Sequence, residues 1–329
     1  MTIRQNQNFI ISAGYISGLT QTDGSFFCSI ISSSKHRFGL QFRPKFTITA
    51  DLDSKYVLDN IQLYFNCGKV NTNLKNHTAE FLVDRLEDLK TKIIPHFQNY
   101  PVFCAKLHAF NLFKEIVIAL SNKDKRTIEG RRELLKMAFS MNATTNRKED
   151  RIDYLFSLLE VADSKENFLL PNKNIDLTTP VTPENIAGII EGDGSFFVSF
   201  QADGKIKTGF NITTDKASKA LLKSVQTELK GIGTILEGTK NELVFTVTGL
   251  NQITEVLIPF VDLHPLFSER ASHYLKFKEV SLILKKERSL SLDKKLEIVE
   301  LCYEMNKKGK HRMFSKAEYI ELLKQLHNK

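Results

Sequence analysis

The stretches Thr22-Asp-Gly-Ser-Phe-Phe27 and Gly192-Asp-Gly-Ser-Phe-Phe197 each set an aspartate, then a glycine, between an apolar run and an alternating one. The first run reads as a helix and the second as a strand. The last turn of a helix already carries roughly half a negative charge on its free carbonyls, so an aspartate there is unfavourable. A chain that repeats the arrangement has a use for it. Two carboxylates ~5 Å apart repel by ~3 kcal/mol at an effective dielectric near 20. A divalent cation reverses the sign, because carboxylates and backbone carbonyls are its hard oxygen ligands. Asp23 and Asp193 brought together would form such a site, open on one side to a substrate oxygen and water. There one ion can activate the water and another can stabilise the leaving oxygen.

The elements that must bring them together are duplicated. Residue n matches residue n+164 over most of the chain: Phe46-Thr-Ile-Thr49 with Phe210-Asn-Ile-Thr213, Phe81 with Phe245, Ile94-Pro95 with Ile258-Pro259, and Met141-Asn142 with Met305-Asn306. The opening motifs match at a spacing of 170, because the loop before Phe46 is six residues longer than its partner. We expect homologous domains over 1–160 and 183–329, joined by a polar linker, 161–182, that contains prolines. Each half reads α-β-β-α-β-β-α-α. The helices are 11–22 and 183–192, with Thr182 as cap and Pro183 at the first position. Strands follow over 25–32 with 41–50 and over 195–201 with 205–214. "ADGK" marks a hairpin in the second pair. Helices 54–65 and 218–229 precede two further strands in each half. Gly18 and Gly188 lie mid-helix, where each costs ~1 kcal/mol relative to alanine. Such a cost fits two helices that cross closely, with Ser17 and Ala187 also small. Gly24 and Gly194 are expected in the left-handed conformation that ends a helix.

The chain of 329 residues has 42% hydrophobic and 26% charged residues, which argues against disorder and membrane spanning. Its net charge is +8. Residues 1–164 carry 22 basic and 17 acidic side chains, or +5, and the remainder carries 24 and 21, or +3. Both halves therefore favour a polyanionic partner. Cys28, Cys67, Cys104 and Cys302 have no zinc spacing and read as reduced core thiols. The eight histidines show no metal-like spacing and receive no role. The residues before the first motif leave no room for a removable targeting segment. Usage rich in Asn, Lys, Ile and Phe, without Trp, suggests an AT-rich and organellar, mitochondrial genome.

Ile16-Ser-Gly-Leu-Thr-Gln-Thr-Asp-Gly24 and Ile186-Ala-Gly-Ile-Ile-Glu-Gly-Asp-Gly194 resemble the signature of the LAGLIDADG homing endonucleases in their single-chain, two-repeat form. The resemblance covers essentially the whole chain. It implies an α+β fold of two pseudo-symmetric domains whose antiparallel sheets form a DNA-binding saddle. It also implies a monomer that hydrolyses both strands of a long, non-palindromic site and leaves four-nucleotide 3′ overhangs. In the family pattern the last acid of each motif, here Asp23 and Asp193, binds Mg²⁺ with the preceding main-chain carbonyl, here Thr22 and Gly192. Mn²⁺ can replace Mg²⁺, and Ca²⁺ is an inert substitute. Two departures stand out. Gln21 sits where an acid is frequent and where the second copy has Glu191; this position is not the metal ligand, so no loss of cleavage is expected. The glutamine that some members carry after the Phe-x-Ile-Thr strand is Ala50 or Thr214 here, so its role does not transfer. Lys106 and Arg270 align with each other and could stabilise charge on the scissile phosphate, or be ordinary solvated residues at a helix start.

Strand alternation places Phe26, Cys28, Ile30, Phe42, Phe46 and Ile48 on a core face. The opposite face carries Ser25, Ser29, Ser33, Gln41, Arg43, Lys45, Thr47 and Thr49. In the second half it carries Ser195, Ser199, Gln201, Lys205, Lys207, Asn211 and Thr213. Such faces suit base edges in a major groove. The basic runs at 122–132, 284–288 and 306–312 are candidates for phosphate contacts. An intron RNA maturase of the same fold and a non-cleaving DNA-binding regulator are the alternatives. The two retained aspartates argue against the regulator and against a maturase without chemistry, and leave a dual-function protein open.

Overall fold

The computed structural model describes residues 10–142, 149–159, 180–239, 241–287, 289–308 and 312–328. It divides into two compact units, Met1–Pro180 and Val181–Lys329. Most of the expected linker lies outside the described residues.

In the first unit the order is α1 (Ala13–Asp23), β1 (Gly24–Ser32), β2 (Leu40–Asp51), α2 (Lys55–Phe65), β3 (Lys69–Asn73) and β4 (Thr78–Val83). Then come a helical stretch α3 (86–99), α4 (Cys104–Ser121), α5 (Ile128–Ser140) and α6 (Glu149–Ser157). The second unit repeats it: α7 (Pro183–Asp193), β5 (Gly194–Phe200), β6 (Ile206–Asp215), α8 (Lys219–Glu228), β7 (Thr234–Glu237) and β8 (Glu242–Val247). It closes with α9 (250–263), α10 (Glu269–Lys286), α11 (Leu292–Cys302), α12 (Met305–Lys308) and α13 (Lys316–His327). Both sheets are antiparallel, with strand orders β1-β2-β4-β3 and β5-β6-β8-β7. The strand assignments match the sequence expectation, but each unit has more closing helices than the expected pair. Pro95 and Pro259 lie inside helical stretches, and the turn before each widens to a π register, Leu89–Ile93 and Ile253–Leu257. A proline lacks the donor and crowds the carbonyl four residues back, which accounts for a locally widened helix. The segments at Pro101 and Pro265 then end these helices and let α4 and α10 start afresh.

The motif helices start on side-chain caps. The Ser12 hydroxyl accepts from Tyr15 N at 3.2 Å. Thr182 and Asn185 form a reciprocal capping box, with Pro183 at the start of the helix. The core of the first unit is aromatic: Phe26 stacks on Phe46 at 5.1 Å and meets Phe97 edge-on at 5.0 Å. Phe196, Phe210 and Phe277 repeat this in the second. Asn142 and Asn306 explain the matched Met-Asn pairs, since each donates its amide to a carbonyl of the edge strand, Phe26 O at 3.0 Å and Phe196 O at 2.7 Å. Cys28, Cys104 and Cys302 are buried and all four cysteines are free thiols. No described helix is long and apolar enough to cross a membrane.

Candidate active site

Asp23 is the last residue of α1 and Asp193 the last of α7. Both are exposed, while the helices behind them are buried from Gly14 to Thr20 and from Asn185 to Glu191. The chain turns at once into the first strand of each sheet. The expected left-handed glycines are not found. Gly24 has φ −88° and Gly194 φ −69°, values open to any residue. Space is what excludes a side chain here. A Cβ on Gly24 would lie 2.5 Å from Thr20 Cγ2 and 2.7 Å from the Thr20 carbonyl oxygen. One on Gly194 would lie 2.6 Å from Ile190 O. The strand leaves so close to the last helical turn that only a hydrogen fits.

The residues at 21 and 191 are structural. Gln21 Oε1 accepts from Phe103 N at 2.8 Å. Glu191, 4% exposed, accepts from Phe267 N at 2.6 Å and from Ser268 N at 3.1 Å, and also takes the Ser268 hydroxyl. Each side chain therefore satisfies free N–H groups where α4 or α10 begins, at the positive end of its dipole. Sequence spacing gives no sign of this clamp, because the partners lie 82 and 76 residues away.

The clamped helices bring Lys106 and Arg270 back to the motif ends. Lys106 Nζ donates to Gly24 O at 2.5 Å, and the Arg270 guanidinium donates to Gly192 O at 2.6 Å. These are not solvated residues pointing away; each touches the backbone beside its own unit's aspartate. The units differ in which carbonyl is held. In the first, the Thr22 hydroxyl donates to Leu19 O at 2.9 Å. Each unit places an exposed carboxylate beside backbone oxygens, donors hard enough for a divalent ion, but in the second unit the Arg270 guanidinium already occupies Gly192 O. Among the described residues no group of three or more His, Cys, Asp or Glu side chains gathers as a metal site, at the motif ends or away from them.

The sheet faces sort as expected. Ser25 pairs with Thr47 and Ser29 with Arg43; Ser195 pairs with Asn211 and Ser199 with Lys207. Residues directly opposite share a face. Gln41 and Arg43 are bonded to each other at 2.9 Å, as are Gln201 and Ser199 at 2.8 Å. Lys45 and Ser33 are half-buried, and Thr49, Lys207 and Thr213 are exposed. Lys205 lies in the turn beside β6, ion-paired with Asp203. Thr47 lies on this face but is only 5% exposed. Asn211 Oδ1 is buried without a hydrogen-bond partner. The alternation also puts apolar residues here that the polar pattern hid. Phe27 lies opposite Lys45 and Phe197 opposite Gly209. A Cβ on Gly209 would lie 2.3 Å from the Phe197 ring, so that ring lies directly on the strand backbone. On the shared third and fourth strands, Asn71 is opposite Glu80, and Thr234 opposite Thr246.

One histidine has a structural role. His96, 6% exposed, has Nε2 3.2 Å from the Ser17 hydroxyl and Nδ1 3.2 Å from the Tyr64 hydroxyl. Ser17 donates its proton to Tyr100 O at 2.6 Å. The hydroxyl therefore accepts from Nε2–H, and Nδ1 accepts from Tyr64. Burial pushes the imidazole pKa down to about 4.

A family model described as LAGLIDADG endonuclease matches residues 16–117 and 186–281, so it spans both motifs and both sheets. A probable intron-encoded endonuclease 2 of Neurospora crassa is 29% identical over 297 residues; the match covers 88% of this chain and 64% of that protein. The chain thus spans just under two-thirds of that relative's length. Among solved structures, the I-LtrWI LAGLIDADG homing endonuclease bound to target DNA is 25% identical, with a TM-score of 0.79 over 89% of this chain and 97% of that one. I-SmaMI, bound to uncleaved target DNA in the presence of calcium ions, shares the fold at 22% identity, with a TM-score of 0.79 over 90% of this chain and 99% of that one.

Proposed function

We propose that this chain, which belongs to the LAGLIDADG endonuclease family, is a homing endonuclease that cuts both strands of a long, non-palindromic DNA site and leaves four-nucleotide 3′ overhangs. The observation that carries the reading is the repeated motif end: an exposed aspartate with a basic side chain, Lys106 or Arg270, bonded to the adjoining backbone. Asp23 with the Thr22 carbonyl, and Asp193 with the Gly192 carbonyl, would hold the divalent ions, Mg²⁺ by preference. When bound, those ions supply an activated water and charge stabilisation at the leaving oxygen. The chain's own part is to hold two carboxylates at fixed helix ends and to aim one cation at each scissile phosphate. Gln21 and Glu191 fix the helices that carry these cations.

The sheet faces bind the duplex. Ser25, Ser29, Gln41, Arg43, Lys45 and Thr49 offer donors and acceptors to one half-site, and Ser195, Ser199, Gln201, Lys205, Lys207, Asn211 and Thr213 to the other. Because the two faces differ in sequence, the site they read is asymmetric. The chain works as a monomer carrying both repeats. Its intron-encoded relatives and its composition support an origin in an organellar intron.

The reading is tested by incubating the protein with a randomised duplex library and Mg²⁺ and sequencing the cut ends. One long site with four-base 3′ overhangs is the expected result. Binding without cutting would favour the regulator or a maturase.

A further inference from the structure

In the first unit β4 ends opposite Phe46, so β2 from Leu40 to Lys45 is paired only with β1. Pro44 sits in this stretch, where no strand needs its missing N–H. The notch beside the unpaired edge is a cavity of ≈590 Å³, walled by Asp84, Leu86, Leu120 and Arg131. The second unit has a cavity of ≈430 Å³ in the matching place, walled by Thr248, Leu250, Leu284 and Lys295. Each of these residues lies 164 positions after its counterpart, and the strand residues 40–44 answer to 204–208 in the same way. The duplication has kept a pocket as well as a fold.

It has also kept a cation at one position. Arg131 and Lys295 occupy the same place in the first turns of α5 and α11, after the caps Thr127 and Ser291. Among the described residues neither side chain makes an ion pair or hydrogen bond. Their neighbours do: Lys125 pairs with Glu133, Arg132 with Glu129 and Lys294 with Glu297. Arg131 lies over the Phe42 ring at 5.4 Å, its Nε buried without a partner. Burial, and then the nearby Arg126, depress its pKa. The half-buried guanidinium, which lines the notch, thus leaves donors unused. Arg43 in one pocket and Lys207 in the other add positive charge, against one acid each, Asp84 and Glu287. The residues lining the notch continue onto the sheet face through Gln41, Arg43 and Lys45.

We propose that each notch holds a backbone phosphodiester of the bound duplex, with Arg131 and Lys295 as its ligands, so that each repeat grips one flank without reading sequence. This rests on the DNA-binding reading above. Phosphate contacts are legible in the salt dependence of binding, whose logarithmic slope changes by roughly 0.9 per phosphate. The test measures affinity against salt for wild type, Arg131→Gln, Lys295→Gln and the double variant, in Ca²⁺. The probes are a cleavable target duplex, an unrelated duplex of equal length and an RNA hairpin. Each single substitution should lower the slope by about 0.9 on both duplexes, and the double by about twice that. Arg131→Lys should keep the wild-type slope, which a loss of folding would not, and Asp84→Thr should tighten binding. Wild-type slopes in the Gln variants, a loss confined to the target sequence, or a loss confined to RNA would each overturn the proposal while leaving the endonuclease reading intact. A wild type without affinity for any duplex would overturn both.

Discussion

Gly24 and Gly194 show how a correct residue can be expected for the wrong reason. Glycine after a helical run reads as a left-handed stop, yet both have ordinary φ values and are required because the departing strand presses on the preceding turn. Dihedral preference can be read locally; a close approach needs the three-dimensional path. Gly24→Ala should destabilise the fold by about 1–3 kcal/mol, as overpacking does, and urea unfolding measures it. A change well under 0.5 kcal/mol would mean the turn relaxes freely. Glu191 makes the same point. Sequence reading could set aside its role as a metal ligand but not find its partners at the start of α10. Glu191→Ala leaves buried N–H groups unpaired and should cost about 1–3 kcal/mol. Glu191→Gln, the residue of the first repeat, should recover most of it. Because the clamp holds Arg270, Glu191→Ala should also slow cutting of one strand more than the other, seen as accumulated nicked plasmid.

Alternation was legible in the strands because opposite faces meet different surroundings; the register that pairs Ser29 with Arg43 and Ser199 with Lys207 came from the structure. Phe27 and Phe197 escaped the polar pattern because a phenylalanine beside a core phenylalanine reads as more core. The contact between α1 and α3 was invisible too, since Ser17 and His96 are 79 residues apart. Its consequence is a pH dependence. The His96 pKa is about 4 in the fold and roughly 6.5 in the unfolded chain. Between these values the unfolded state binds the extra proton, so stability is full above about pH 6.5 and falls as pH drops towards 4, by roughly 3 kcal/mol in all. His96→Phe, matching Phe260 of the second repeat, should flatten that part of a stability–pH profile. An unchanged slope would place the proton elsewhere.

The duplication was the most legible property of the whole chain, since a fixed offset survives substitution at most positions. The extra helices after the fourth strand of each unit were not, because the turns before Pro95 and Pro259 take a π register that helical spacing does not mark. On the proposed reading each repeat's aspartate serves one strand, so the chemistry is divisible by strand. Removal of divalent ions with EDTA should abolish cutting while leaving salt-sensitive DNA binding. The most direct measurement is cleavage of a target duplex labelled on both strands by Asp23→Asn, Asp193→Asn and the double variant. Neither single variant should release a double-strand break, and the double should cut neither strand while still binding. Wild-type cutting by the double variant would contradict the account.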